Sequence, residues 1–368
     1  VIGEYTRRSL GWRSDPFGTF LPGSETRCSI PMTTHVTRRT ALKTILGAGG
    51  YDSRLMDEVR DTLRDLFEAP QASVYLVATG TAANALALAT LSQPWQTVFC
   101  TPLAHIHTDE CNAPEFFTGG AKLSLVGEAD KMTPDQLRTA LAEWPAGDVH
   151  NPQHGPMALT QATERGRVHD CDEIAALCEV ARAHRIPAYM DGARFANAVA
   201  ALGCTPAEMT WKAGIDAVSM GGTKNGCLAV EAVIFFTPEN AWEFELRRKR
   251  AAHLVSKHRY LSAQMLGYLK DDLWLTSAQT ANAQAAKLAD GLRSIPGAEM
   301  VFEPQVNMIF ARLPRAMHRR LRAAGARYAM YEGPVDDGPG DEGLMMRLVC
   351  DWSITDAEIA EFLEIARG

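Results

Sequence analysis

Apolar and polar residues follow helical and strand periods from about residue 51 onward. Residues 57–67 and 133–142 carry apolar positions at the three- and four-residue spacing of amphipathic helices. Residues 81–91 are small and apolar throughout, which predicts a buried helix. Short apolar runs between the helical segments predict seven strands, at residues 73–77, 97–100, 122–126, 156–160, 186–190, 217–220 and 232–236.

Strands that are separated by helices imply right-handed crossovers and a mainly parallel sheet with both faces covered. The predicted fold class is therefore α/β, with a seven-stranded sheet in a large domain at residues 51–250. A smaller α+β domain is predicted at residues 251–368. The pattern becomes helical shortly before this boundary, with predicted helices at 239–259, 263–269 and 278–292. Residues 1–50 form an atypical N-terminal segment. The smaller domain has predicted strands at 299–302, 308–312, 327–331 and 344–349 and helices at 317–323 and 356–365.

Composition narrows the class of protein. The chain has 368 residues and a net charge of −7, without a long block of Lys and Arg, which argues against nucleic-acid binding. Its apolar stretches are too short to span a membrane. The eight cysteines include no C-x-x-C pair, which favours a reducing, cytoplasmic setting. Residues 37–47 only faintly resemble a twin-arginine export signal.

Lys224 and Asp191 carry the strongest chemical signal. Lys224 lies in a loop of small residues, and Asp191 follows an apolar predicted strand 33 positions earlier. Pyridoxal 5′-phosphate (PLP) needs a lysine for its Schiff base and an acidic partner for its pyridinium nitrogen. Taken alone, Lys224 could be a surface lysine in a turn, and Asp191 could cap a helix. Together, with a phosphate-binding loop upstream, they predict a PLP site.

Two further segments extend this site. Gly80 and Thr81 join a predicted strand to a helix, where free N–H groups and the positive end of the helix dipole can hold a phosphate. His105 follows another predicted strand and could stack on an aromatic ring or move protons, and His150 is a second acid–base candidate. Because its ligands would all come from one short loop, a metal site at His105, His107 and Glu110 is not predicted.

Three arginines are candidates for binding anions. Arg194 opens a predicted helix, where its positive charge is unfavourable to the helix dipole unless it faces a ligand. Arg347 lies within an apolar strand and needs a carboxylate or phosphate partner, from a substrate or from the protein. Arg259 is predicted to end a helix, where a cation is favoured without any ligand.

The combined motifs resemble the low-specificity L-threonine aldolases, which are PLP enzymes of the aspartate-aminotransferase fold type. The similarity covers roughly residues 51–368. The residues that carry it are Gly80-Thr81-Ala82-Ala83-Asn84, Ala104-His105, Asp109-Glu110, Met190-Asp191-Gly192-Ala193-Arg194-Phe195, Gly221-Gly222-Thr223-Lys224-Asn225-Gly226 and Glu231-Ala232.

The resemblance implies a role for each matching residue. Lys224 would form the Schiff base and Asp191 would pair with the pyridinium nitrogen. His105 would stack on the ring. Gly80 and Thr81 would hold the phosphate, Arg194 and Arg259 would bind the cofactor, and Arg347 would bind the substrate carboxylate. The family usually forms homodimers or homotetramers with active sites at a subunit interface, and its members begin with a Ser-Asp or Asp-Asn strand that residues 1–50 lack.

The predicted reaction is the cleavage of L-threonine, L-allo-threonine or a related β-hydroxy-α-amino acid, phenylserine included, to glycine and an aldehyde. His105 or His150, directly or through water, would take the proton of the β-hydroxyl group. Two alternatives use the same cofactor: a β-eliminating lyase and an amino-acid racemase. A third is a PLP-binding protein that is inactive because it lacks the usual N-terminal element.

Overall fold

The computed structural model describes residues 54–368, apart from the side chain of Asn240. The predictions for residues 1–50, and for a family turn at Gly49-Gly50-Tyr51-Asp52-Ser53, lie outside the described residues. Within them, the helices are α1 (Arg54–Leu66), α2 (Gly80–Leu91), α3 (His105–Thr108), α4 (Ala113–Thr118), α5 (Pro134–Ala142), α6 (Cys171–Ala183), α7 (Phe195–Leu202), α8 (Pro206–Met209), α9 (Ala241–Arg250), α10 (Arg259–Leu269), α11 (Leu273–Arg293), α12 (Arg315–Ala323) and α13 (Asp356–Arg367).

A seven-stranded sheet forms the larger layer, in the order β1-β7-β6-β5-β4-β2-β3. The central strands pair in parallel, and β7 runs antiparallel between β1 and β6. This confirms the predicted mainly parallel sheet. Its strands are β1 (Ser73–Val77), β2 (Gln96–Cys100), β3 (Lys122–Leu125), β4 (Gln153–Thr160), β5 (Ala188–Gly192), β6 (Ala217–Gly221) and β7 (Glu231–Phe235).

Strand β5 and helix α2 show why the sheet is buried on both faces. Every residue of β5 is buried. Ten of the twelve residues of α2 are also buried, because small side chains surround this helix and let it pack closely on every side. Because β1, β4, β5 and β6 run in the same direction, their carboxyl ends meet at one edge of the sheet, where parallel sheets bind ligands.

A four-stranded antiparallel sheet forms the second layer, in the order β10-β11-β9-β8. Its apolar face packs on α11, α12 and α13 around a separate core that contains Leu292, Ile309 and Leu321. The smaller α+β unit is thus observed as predicted, and the domain boundary at 250/251 stays a prediction. The strands are β8 (Glu299–Met300), β9 (Met308–Pro314), β10 (Ala329–Met330) and β11 (Gly343–Val349).

One predicted helix is wrong. Residues 239–259 do not form a continuous helix, because α9 ends at Arg250 and Ala252 adopts a left-handed conformation with φ of 62°. The N–H of His253 then returns to the carbonyl of Arg248 at 3.0 Å, which closes the helix end. Arg259 therefore begins α10 rather than ending a helix. Among residues 54–368, no helix combines the length and apolarity that crossing a membrane requires.

Candidate active site

A cavity of about 480 Å³ opens at the carboxyl edge of the large sheet and extends to the small sheet. Its lining includes five basic and three acidic residues. They are His105, Arg165, Arg194, Lys224 and Arg347, and Asp109, Glu164 and Asp191. A larger cavity of about 620 Å³ lies at the amino ends of β5 and β6, and Lys224, Asp191 and His105 do not line it. The site chemistry is therefore assigned to the smaller cavity.

Asp191 is held by a buried hydrogen-bond network. It lies in β5, and its Oδ1 accepts the N–H of Ala193 at 2.9 Å. Its Oδ2 accepts from Asn84 Nδ2 at 2.8 Å, and Asn84 also donates to Glu110 Oε1 at 2.7 Å. The hydroxyl of Tyr189 completes the network by donating to Asn84 Oδ1 at 2.7 Å. Asn84 thus fixes the orientation of the Asp191 carboxylate from the neighbouring helix.

Lys224 lies in a tight turn, Thr223–Asn225, directly after β6. Small residues are required there, because a Cβ on Gly221 would lie 2.5 Å from the carbonyl oxygen of Ala193. The N–H of Gly222 donates to Glu231 Oε2 at 2.9 Å, which anchors the turn to β7. Burial and then the positive charge of Arg194 lower the pKa of the Lys224 amine. A lowered pKa favours the neutral amine that a nucleophile requires.

His105 is the first residue of α3 and faces the same cavity. Its Nδ1 lies 2.9 Å from Glu110 Oε1, and this hydrogen bond raises the pKa of His105 although burial opposes the shift. A raised pKa favours the protonated ring, which can donate a proton but cannot accept one.

Arg194 and Arg347 line the same cavity, and neither forms an ion pair with a carboxylate among residues 54–368. Arg194 immediately precedes α7, and Arg347 lies in β11 of the small sheet. Burial, and next the charge of Arg347, lower the pKa of Arg194 to about 10. The Nε atoms of both arginines are buried, with no hydrogen-bond partner among the described residues. Two guanidinium groups in one cavity, each with hydrogen-bond donors left free by the described residues, are suited to binding an anion.

Glu164 was not predicted from the sequence. It lies in the loop after β4, and its Oε1 accepts the N–H of His105 and the hydroxyl of Thr160, both at 2.8 Å. Its Oε2 is buried and has no partner among residues 54–368. Burial raises the pKa of Glu164 to about 7. Its position just past a strand that ends at the cavity edge was the sequence signal that could have identified it.

Gly80 and Thr81 form the first turn of α2, next to the cavity but outside its lining. Asn84 lies one turn further along the helix and contacts Asp191, so the start of α2 lies about 5 Å from that contact along the helix axis. Apart from the two neighbouring residues and the backbone of α2 itself, no atom of the described residues lies within 4 Å of the position that a Cβ on Gly80 would occupy. An anion such as phosphate therefore has room at this helix terminus.

Two predicted site residues do not reach this cavity. His150 is exposed and precedes the amino end of β4, whereas Thr160, at the carboxyl end, lines the cavity. The eight-residue strand separates the two positions by roughly 25 Å. Arg259 begins α10, where its guanidinium packs 5.2 Å from the ring centroid of Tyr260. Within one chain, neither residue lines the cavity.

Comparison with known proteins identifies the family. The β-eliminating lyase family matches residues 32–315. The low specificity L-threonine aldolase of Pseudomonas aeruginosa is 41% identical over 86% of this chain and 87% of that protein. The enzyme of the same name from Pseudomonas sp. is 40% identical over 84% of this chain and 86% of that protein.

A solved structure supports the fold. The threonine aldolase of Leishmania major superposes with a TM-score of 0.80 at 23% identity and covers 91% of this chain and 96% of its own. Similarity at that level of identity establishes the fold, while the two Pseudomonas proteins establish the family. The chain thus belongs to the low-specificity L-threonine aldolases, PLP-dependent carbon–carbon lyases within the β-eliminating lyase family.

Proposed function

We propose that this enzyme cleaves L-threonine and L-allo-threonine, or related β-hydroxy-α-amino acids such as phenylserine, to glycine and an aldehyde. One observation carries the proposal: a lysine with a lowered pKa, a fixed aspartate and two arginines without a carboxylate partner among residues 54–368 meet in one cavity, in a chain of the threonine aldolase family. These groups match what an amino-acid substrate and PLP require.

The charges and unpaired atoms of the cavity suit PLP. Lys224 would bind the cofactor covalently, and Asp191 would face its ring nitrogen. His105 would cover the ring, and the first turn of α2 at Gly80 and Thr81 would bind the phosphate. When bound, PLP accepts the electron pair that the broken Cα–Cβ bond releases. We assign Arg194 to the ring side of the cavity because it immediately precedes α7, only three residues after Asp191.

The protein's own groups would orient the substrate and move its protons. Arg347 would bind the α-carboxylate, because its guanidinium faces the cavity and has no carboxylate partner among residues 54–368. The β-hydroxyl proton needs an acceptor. We assign this role to Glu164, whose pKa of about 7 suits proton exchange near neutral pH. Lys224 in its protonated form, or water, would return a proton to Cα of glycine.

Assembly and location are also proposals. The family resemblance favours a homodimer or homotetramer with active sites at subunit contacts. Apolar side chains near the Lys224 turn support a contact there, because Leu228 is 86% and Trp352 50% exposed. The cysteines among residues 54–368 are free thiols, which supports a cytoplasmic setting.

Aldehyde release tests the function. The PLP-reconstituted enzyme should release acetaldehyde from L-threonine and L-allo-threonine, with glycine in equal amount. Lys224→Ala should abolish release, whereas Lys212→Ala should retain it, because Lys212 pairs with Glu68 outside the cavity. Equal turnover by the parent and Lys224→Ala would refute the proposal.

β-Elimination is the second candidate, because the matching family is described as β-eliminating lyases. It predicts ammonia and a keto acid as products, instead of glycine and an aldehyde. Product analysis with L-threonine and L-serine separates the two reactions, and ammonia without glycine would select the lyase.

A further inference from the structure

Arg165 is a third guanidinium in the cavity, and the proposed reaction leaves it without a role. It follows Glu164 in the loop after β4 and lines the cavity together with Arg347. No carboxylate among residues 54–368 pairs with Arg165, in contrast to Arg167, which lies two positions further along and binds Asp130. Arg165 is therefore a positive charge that the described part of the chain leaves uncompensated.

Three aromatic rings hold the Arg165 guanidinium in place. Its central carbon lies 5.6 Å from the ring centroid of Phe302, 5.1 Å from that of Phe310 and 5.3 Å from that of Tyr331. Such stacking stabilises a cation without neutralising it, and it leaves the edge of the planar fork available for hydrogen bonds. Arg165 is thus fixed in position while keeping its capacity to bind an anion.

The same rings set the distance between Arg165 and Arg347. Arg347 lies opposite Phe310 in the register of β11 and β9, and its guanidinium is 5.9 Å from the centroid of Tyr331. Both guanidinium groups are therefore within 6 Å of one tyrosine ring. If Arg347 binds the α-carboxylate of a substrate, Arg165 lies close enough to meet an anionic group at the other end of a short side chain.

We propose that Arg165 recognises an anionic side chain, so that this enzyme takes dicarboxylic β-hydroxy-α-amino acids as well as threonine. The smallest such substrate is 3-hydroxyaspartate. Cleavage of its Cα–Cβ bond gives glycine and glyoxylate: the β-hydroxyl group loses a proton and becomes the aldehyde, and Cα gains a proton. No oxidant or reductant is needed. This inference rests on the proposed function, since it concerns the same cavity and the same reaction.

The charge of the cavity supports an anionic ligand. Five basic residues line it against three acidic ones. Asp191 is already engaged by Asn84 and by the N–H of Ala193, so it does not neutralise Arg165. A second carboxylate on the substrate would reduce this excess of positive charge and receive a bidentate hydrogen bond.

The test compares two substrates in three proteins. Glyoxylate release from the threo and erythro forms of L-3-hydroxyaspartate, and acetaldehyde release from L-threonine, are measured for the parent, Arg165→Gln and Arg138→Gln. Arg138 is a matched control that binds Asp135 on an exposed helix face outside the cavity. Arg165→Gln should lower kcat/KM for 3-hydroxyaspartate by about tenfold or more, since it removes a charge-assisted hydrogen bond. Its kcat/KM for threonine should change by less than about threefold.

Binding without cleavage gives a second readout. L-Aspartate and L-alanine lack the β-hydroxyl group, so they can compete with threonine without undergoing this cleavage. In the parent, L-aspartate should inhibit more strongly than L-alanine. Arg165→Gln should remove most of the difference in inhibition between the two amino acids. Arg165→Lys keeps the positive charge but not the planar pair of N–H donors, so it should retain part of the difference.

Several outcomes would overturn the inference. A parent enzyme that cleaves threonine but neither form of 3-hydroxyaspartate would refute it and leave the proposed function intact, whereas failure with both substrates would refute the function itself. An equal loss for both substrates in Arg165→Gln would mean that Arg165 only supports the loop. An equal loss for phenylserine would mean that Arg165 acts as a stacking surface and not as a carboxylate ligand.

Discussion

Arg167 and Arg347 show two opposite ways in which this protein treats a guanidinium group. Arg167 binds the carboxylate of Asp130, whose side chain is 3% exposed, and the hydroxyl of Thr163 donates to the same carboxylate. Arg347 packs near the Tyr331 ring and pairs with no carboxylate among residues 54–368. The difference separates structure from function: the protein pairs its charges where they only hold the fold and leaves them unpaired where a ligand must supply the partner.

The carboxyls near these arginines differ in the same way. Burial alone would raise the pKa of Asp130, but the hydrogen bonds from Arg167 and Thr163 outweigh it and hold the pKa below its usual range. Glu164 receives only neutral donors, so burial prevails and raises its pKa to about 7. Although Thr163 and Glu164 are adjacent in the chain, Thr163 contributes to the ion pair of Asp130 with Arg167, whereas Glu164 faces the cavity.

The largest expected effect comes from removing an unpaired charge. Arg347→Met should lower kcat/KM for threonine by about a thousandfold, the equivalent of about 4 kcal/mol, because the substrate carboxylate loses its charged partner. The free energy of unfolding of the ligand-free protein should not fall, since no described carboxylate is left unpaired. Steady-state kinetics and urea denaturation measure the two effects. If Arg347→Met lowered the free energy of unfolding and left kcat/KM unchanged, Arg347 would stabilise the fold and would not bind the substrate.

Removing the paired charge should have the opposite result. Arg167→Met leaves the Asp130 carboxylate buried without its cation, which should lower the free energy of unfolding by about 3 kcal/mol. KM for threonine should stay unchanged in the protein that remains folded. The double variant Asp130→Leu/Arg167→Met should recover part of the stability, because no charge is then left unpaired. If KM rose instead, Arg167 would have to be assigned to the site.

Glu164 should make stability depend on pH. Because the pKa of Glu164 is raised in the folded protein, the folded state keeps a proton that the unfolded chain releases between about pH 4.5 and 7. The free energy of unfolding should therefore fall as pH rises through this window. Glu164→Gln should therefore stabilise the protein by roughly 2 kcal/mol at pH 8 and by little at pH 5. Urea denaturation at the two pH values measures the difference.

Glu231 provides the control for that experiment. Burial also raises the pKa of Glu231 to about 7, so it contributes a change of the same sign that remains in Glu164→Gln. The variant should thus reduce the pH dependence between 4.5 and 7 without removing it. An unchanged dependence in Glu164→Gln would show that the carboxyl is paired in solution, and Glu164 could then not serve as the proton acceptor.

The sequence predicted the large sheet and much of the site because both depend on short segments. The strands follow apolar runs, Asp191 lies at the end of a strand, and Lys224 and His105 lie in the loops that follow strands. Contacts between distant segments could not be predicted. Glu164 reaches the site by binding the N–H of His105, 59 positions away, and the break after α9 depends on Ala252 in a left-handed conformation without the usual glycine. That His150 does not line the cavity could not be predicted either, because its distance from the cavity depends on the length of β4.

The smallest predicted effect compares two helix caps. Thr79 accepts the N–H of Ala82 at 3.2 Å at the start of α2, and Thr133 accepts the N–H of Gln136 at 3.3 Å at the start of α5. The first turn of α5 contains an acidic side chain, Asp135, whereas the first turn of α2 contains none, so its positive dipole end remains available to an anion.

Alanine at either cap should therefore cost about 1 kcal/mol of stability, but only one substitution should affect the cofactor. Thr79→Ala should weaken PLP affinity, because the frayed first turn no longer presents its N–H groups to the phosphate, while Thr133→Ala should leave the affinity unchanged. Urea denaturation of the apoenzyme and a PLP titration followed by absorbance measure the two quantities. Equal PLP affinity in both variants would place the phosphate away from the start of α2, and the unpaired arginines of the cavity would become the remaining candidates to hold it.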